Sequence, residues 1–271
     1  MQYPLTILLL LLLHRRSELV SGITAGLCFL TRKPSNETLE FAQALAADAV
    51  QYDLHVLVMI DDNQLNLTAL NTKAPLHLLQ IPNDQPRHHG FHQTTSLGPG
   101  WSSTTSWDKA LFYFCVLHKQ YEFLWLIEDD VFIPSVRAVQ SLHQLYSGTA
   151  DLVIPRNGIN QLANSNSWLW PLAVGKFLPP WSCSMVNVVG LSRRMLTHIH
   201  DYVRWRGVVP FHEFFFNTLA MQHPNLSVVA PTELTGIVYL SAHKFEHVQR
   251  QPNNLWHSLK NSETRRAWRQ K

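Results

Sequence analysis

The chain is poor in charge. Asp, Glu, Lys and Arg make up 15% of its 271 residues, against the usual quarter in soluble domains. Its net charge of +3 is too mild for a protein that neutralises a phosphate backbone, so nucleic acid is not an expected partner. Three cysteines are too few, and odd in number, for a disulfide framework. Cys28 and Cys115 lie in apolar surroundings and are expected as buried thiols. Neither G-x-x-x-x-G-K-[ST] nor G-x-G-x-x-G occurs, which removes the glycine-loop support for a phosphoryl or nucleotidyl transferase. No repeat and no linker interrupts the chain, so residues 23–260 are expected as a single α/β domain.

No apolar run reaches the roughly 20 residues that span a bilayer. The block at residues 5–13 has the length of a signal-peptide h-region. The segment 1–22 is therefore expected as a signal peptide or short signal-anchor, with small residues Val20, Ser21 and Gly22 near its end. Its first four residues carry no Lys or Arg, and Arg15 and Arg16 follow the block closely. Three sequons, at Asn36, Asn66 and Asn225, suit lumenal exposure. The expected location is the secretory pathway, in the Golgi or endoplasmic reticulum lumen or secreted, with the N-terminus offering membrane attachment. Residues 261–271 form a basic tail and read as a frayed, solvated end.

The informative stretch is Phe123-Leu124-Trp125-Leu126-Ile127-Glu128-Asp129-Asp130-Val131-Phe132. A short apolar run rich in aromatic and branched residues predicts a strand buried on both faces. It ends in three consecutive carboxylates, which stay charged in a buried setting only when paired or holding a metal. In open α/β sheets, ligands bind beyond the carboxyl ends of the strands. The stretch thus reads either as a strand delivering acids to a cation or as a strand followed by a solvated acidic turn.

Upstream, residues 26–31 and 55–60 predict two further buried strands. Between them, residues 35–50 place Leu39, Ala42, Leu45, Ala46 and Ala49 at helical spacing, with Ser35 or Asn36 as cap. This is a βαβ unit with parallel strands, and its second strand also ends in acids, Asp61 and Asp62. A third strand is expected over 76–82 and a long loop over 83–106. A helix capped by Ser106 then runs to about residue 119. Downstream, the pattern predicts a helix from Pro134, a strand over 185–191, helices from Ser192 and His212, and a late strand over 237–240.

These features in this order resemble the GT-A family of nucleotide-sugar glycosyltransferases: strand, helix, acid-ended strand, Asp108-Lys109 on a helix, then Glu128-Asp129-Asp130. The series SWDKAL, EDDVFIP, PWSCSM, HEFFFNTLA and a final His-Lys is similar to a poorly characterised eukaryotic and viral group of such transferase-like proteins. The resemblance implies a Rossmann-like, mostly parallel central sheet flanked by helices. It also implies a divalent cation, Mn²⁺ or Mg²⁺, on a variant of the DxD motif in which Glu128 takes the first Asp position. The implied activity moves a sugar from a nucleotide-diphosphate donor to an acceptor hydroxyl on a glycan, protein or lipid. A catalytically inactive lumenal binder of nucleotide sugar or glycan would share the fold.

Period-two alternation puts Glu128 and Asp130 on one side of an extended chain, with Asp129 turned away; a turn at Asp129 would swap that assignment. The resemblance makes Glu213 a candidate base and His243 a candidate metal ligand, with Lys244 toward the diphosphate. Glu213 also fits a plain first-turn acid, and His243 a plain surface or core residue. Asp61 and Asp62 fit a nucleoside contact or an acidic turn. Asp108 and Lys109 fit a nucleotide contact or a stabilised helix start. Trp168, Trp170 and Trp181 fit a sugar-stacking platform or a core cluster.

Overall fold

The computed structural model describes residues 25–93, 104–156, 158–160, 168–239, 243–259 and 261–269. The expected signal or anchor segment and residues 94–103 of the expected long loop lie outside the described residues. The three sequon asparagines are exposed.

Strand β1 (Ala25–Thr31) is buried at every position. Helix α1 (Asn36–Ala49) follows, and the Ser35 hydroxyl accepts from the Thr38 amide at 3.0 Å. All five residues predicted at helical spacing are buried. The helix packs against β2 (Leu54–Ile60), which runs parallel to β1 and pairs Thr31 with Ile60. β3 (His77–Gln80) and the short helix α2 (Asp84–His88) come next. Helix α3 (Ser106–Phe112) is capped by Thr105, one residue earlier than the sequence suggests. It passes into a π-helical turn over Tyr113–Leu117. Strand β4 (Phe123–Glu128) then enters beside β1, parallel to it, pairing Leu30 with Glu128.

After β4 come α4 (Val136–Tyr146), β5 (Leu152–Val153), β6 (Gly158–Asn160), β7 (Trp181–Cys183), β8 (Val188–Ser192), α5 (Arg193–Arg206), α6 (His212–Met221) and β9 (Val228–Val229). The seven-stranded sheet has the order β3-β2-β1-β4-β8-β5-β9. β8 alone runs against the others, inserted between β4 and β5. The chain is thus a mixed α/β domain with a mostly parallel central sheet. Side-chain alternation along β4 feeds both core layers. Leu124 and Leu126 join one cluster with α3, α5 and α6, while Phe123, Trp125 and Ile127 join the other with α1 and α4.

The C-terminal segment corrects the sequence reading. The late strand is only β10 (Gly236–Ile237), paired in parallel with β11 (Trp256–His257). Helix α7 (Phe245–Arg250) lies between them, and α8 (Ser262–Arg269) follows. The basic tail is therefore not a frayed end in the described residues. Arg265 is buried, and Arg265 and Arg269 both pair with the buried Glu37 at the start of α1. A buried carboxylate needs such partners, and α1 offers it there.

The approach of β11 to β10 depends on Gly236. A Cβ at that position would sit 2.4 Å from the Leu255 carbonyl oxygen and 2.7 Å from the Trp256 ring. At Gly148 a Cβ would meet nothing within 4 Å. Overpacking of this kind costs about 1–3 kcal/mol. Gly236→Ala is expected to lower stability by that amount in urea denaturation, while Gly148→Ala leaves the midpoint nearly unchanged.

Candidate metal centre

The parallel register of β1, β2 and β4 brings Thr31, Asp61 and Glu128 to one edge of the sheet. Glu128 ends β4, and its amide is still bound to the Asn187 carbonyl at 2.8 Å. The chain then turns. Asp129 directs its carboxylate to the Thr31 hydroxyl, which donates to Oδ2. Asp130 returns toward Glu128. One ligand atom each from Glu128, Asp130 and His257 lies within 4.8 Å of the others. The strand therefore delivers two of its three acids to one point, with Asp129 turned away.

Each member of the trio is held by another element. The Trp107 indole N–H, at the start of α3, donates to Glu128 Oε1 at 2.8 Å. The Asn187 amide, just before β8, donates to Glu128 Oε2 at 2.5 Å. His257, on β11, places Nδ1 3.0 Å from the Val238 carbonyl. A carbonyl only accepts, so Nδ1 carries a proton, and in the neutral ring Nε2 is the atom with the lone pair. That Nε2 lies 3.5 Å from Asp130 Oδ2 and 3.2 Å from the Asn187 amide nitrogen. Burial raises the Glu128 pKa. The Trp107 bond opposes this, and the Asp130 charge adds to the rise. Burial works against protonation of His257, but its contacts with Asp130 and Val238 outweigh it and raise its pKa.

Glu213 sits in the first turn of α6. Its carboxyl is pushed up to about 7, first by burial and then by the Glu128 charge, while His257 pulls it down. The neighbouring His212 is buried, stacked on Trp107 at 5.0 Å between ring centres. Burial lowers its pKa to about 3, so it is neutral.

The other sequence candidates are arranged differently. His243 does not join the trio; its Nε2 meets the His257 carbonyl oxygen at 2.6 Å. Asp108 is fully buried and caps α3, its Oδ2 accepting from the Thr105 amide at 2.7 Å and the Thr105 hydroxyl at 2.9 Å. Lys109 is fully buried too, donating to the Asp61 carbonyl at 2.7 Å and Asn63 Oδ1 at 2.9 Å, with Asp61 Oδ1 at 3.1 Å. Both act within the protein, and Lys109 ties the end of β2 to α3. Asp62 Oδ1 accepts from the Gln64 amide in an acidic turn. Lys244 is exposed at the start of α7. Trp170 and Trp181 are buried and stacked at 6.0 Å, a core pair, while Trp168 is 46% exposed beside them.

Sequence reasoning missed Trp107, Asn187 and His257 as members of this site. Trp107 stands inside the SWDKAL series, where it was given no role. A lone Asn in the apolar run 185–189 was a readable signal for Asn187. His257 offered no local signal.

No protein-family model matches the chain, and no curated protein sequence matches it. Among solved structures it is similar to the galactosyltransferase LgtC in complex with donor and acceptor sugar analogues. That match has 10% identity and a TM-score of 0.47, and covers 91% of this chain and 95% of that one. It is similar to mouse xyloside xylosyltransferase 1 in its apo form, with 12% identity, a TM-score of 0.42, and 88% and 98% covered. A third similar structure is the mannosyltransferase Ktr4p of S. cerevisiae, with 11% identity, a TM-score of 0.36, and 69% and 61% covered.

The Glu213 carboxyl gives a signed pH effect. A carboxyl whose folded pKa lies above its unfolded value binds more protons in the folded state, so stability falls as pH rises between the two. For Glu213 the window runs from about 4.5 to about 7. Glu213→Gln is expected to make the loss of stability across this window shallower, in urea titrations at pH 5 and pH 7.5. Asp108, also raised to about 7 by burial, and Glu128 and Asp129, raised by burial too, keep part of the slope.

Proposed function

We propose that the chain is a metal-dependent glycosyltransferase that moves a sugar from a nucleotide-diphosphate donor to an acceptor hydroxyl in the secretory pathway. One observation carries the reading: Glu128, Asp130 and His257 converge within 4.8 Å at the carboxyl edge of a mostly parallel sheet. The donor set fits a divalent cation. Carboxylates suit Mg²⁺ and Mn²⁺, and an imidazole shifts the preference from Mg²⁺ toward Mn²⁺. His257 supports this with an Nε2 that faces Asp130 and an Nδ1–H anchored on a carbonyl, the arrangement that orients a ligating histidine. When bound, such a cation acts as a Lewis acid on the negative charge of a diphosphate leaving group.

The chain's own groups supply the rest. Trp107 and Asn187 hold Glu128 in one orientation. Lys109 fixes Asp61 at the adjacent strand end, where the donor's nucleoside is expected to lie. Glu213 removes the proton from the acceptor hydroxyl, taking it on its carboxylate. A pKa near 7 suits that task, because a base works best when its pKa lies close to the working pH.

A thermal-shift screen of nucleoside diphosphates with and without Mn²⁺ tests the reading, since a ligand raises the melting temperature according to its occupancy. UDP or GDP is expected to stabilise the wild type only with Mn²⁺. Asp130→Ala should lose that stabilisation while folding normally; unchanged Mn²⁺-dependent binding counts against the cation site. Glu213→Gln should retain nucleotide binding and lose sugar transfer. Binding by the wild type without transfer from any common donor would favour the inactive binder instead.

A further inference from the structure

The turn that carries the acids is gripped from outside the sheet. Arg265 on α8 is 5% exposed. Its Nη1 donates to the Asp129 carbonyl at 2.7 Å and reaches the Leu259 carbonyl at 3.3 Å. Its Nε lies 2.9 Å from Glu37 Oε2. The Leu259 amide donates to the Asp130 carbonyl at 3.1 Å. The backbone carbonyls of Asp129 and Asp130 are thus both held by the C-terminal segment, while Thr31 holds the Asp129 side chain. Arg269 shares Glu37 but sends its Nε to the Ile133 carbonyl at 3.1 Å, beyond the acids.

Two consequences follow from this geometry. The peptide unit from the Asp129 carbonyl to the Asp130 Cα is rigid and planar. Fixing that carbonyl therefore fixes the plane from which the Asp130 side chain departs. The guanidiniums of Arg265 and Arg269 both pair with Glu37, and the Arg265 charge also acts on Asp129. This leaves the charges of Glu128 and Asp130 for a cation.

We propose that Arg265 is a positioning residue for the cation site, acting through the Asp129 carbonyl to aim Asp130. The proposal rests on the cation reading above. It makes a prediction opposite in sign to simple electrostatics. Removing a positive charge near a cation site should tighten binding by Coulomb's law alone, whereas loss of aim should weaken it. Lysine keeps the charge but not the fork that reaches Glu37 and the Asp129 carbonyl together.

Titration calorimetry of the full chain with Mn²⁺ alone tests this, with urea denaturation run on each variant. Arg265→Lys and Arg265→Gln are both expected to weaken Mn²⁺ binding by about 10–100-fold, the usual effect of losing a group behind a metal ligand. Arg269→Gln removes a neighbouring guanidinium from the same Glu37 and should leave affinity within about twofold, despite a comparable loss of stability. Thr31→Val releases Asp129 from the other side and should weaken binding even if the Arg265 variants do not fold. Tighter or unchanged binding by Arg265→Gln overturns the proposal, as does equal weakening by Arg269→Gln. A wild type that binds no Mn²⁺ overturns the cation site and the proposal with it. A wild type that binds, with Arg265 variants that bind equally, overturns the proposal alone.

Discussion

Two carboxylates at the end of a strand buried on both faces are the constraint on which the rest of this structure turns. β4 has no solvent face from Phe123 to Ile127, so Glu128 and Asp130 emerge from a core. Groups from three separate places meet these acids, Trp107 at the start of α3, Asn187 before β8 and His257 on β11, while the α8 grip holds the backbone of the turn between them. Each is a hydrogen-bond donor or a potential ligand, as buried charge demands. The elements that look peripheral in the fold, the two-residue strands and the last helix, are the ones that complete this shell.

The electrostatics extend past the trio. Glu213 lies on a different helix, yet the Glu128 charge contributes to its raised pKa and His257 opposes it. Charge held at one point of the sheet edge therefore adds to burial in raising the proton affinity of a group on α6. The buried stack beside them, Trp107 on His212 and His212 on Phe216, lowers the local dielectric in which such charges act. The same layer keeps His212 neutral, which removes it as a competing cation.

What was legible in the sequence was what is local. The helical spacing in 35–50, the apolar runs of β1, β2 and β4, and the acids that end them each encode their own environment within a few residues. The period of two did not carry past Glu128: the chain turns at Asp129, and Asp130 comes back to Glu128 through a turn closed by the Val131 amide on the Glu128 carbonyl at 3.1 Å rather than by strand alternation. What was not legible depended on distant partners. β8 reads as a strand, but nothing in residues 185–191 says that it runs antiparallel between β4 and β5. β10 and β11 are two residues each, too short for any period to register. The tail reads as basic and solvated because its partner, Glu37, lies more than two hundred positions earlier; only the fold reveals that Arg265 and Arg269 answer a buried acid.

The two histidines of the C-terminal segment show the same limit at the scale of one ligand. His243 follows a predicted strand and precedes a lysine, so the resemblance makes it the natural candidate for the metal. His257 sits between Leu255-Trp256 and Ser258-Leu259, too short a run to mark it as a ligand. Their roles are decided by β10, whose Ile237 pairs with His257 and whose approach needs Gly236. Once β11 is laid there, Val238 is in place to fix the His257 tautomer, and Nε2 faces Asp130. His243 then meets the backbone of His257 and packs edge-on against Trp256. It supports the strand whose imidazole reaches the acids, and a glycine fourteen positions before Arg250 decides which imidazole that is.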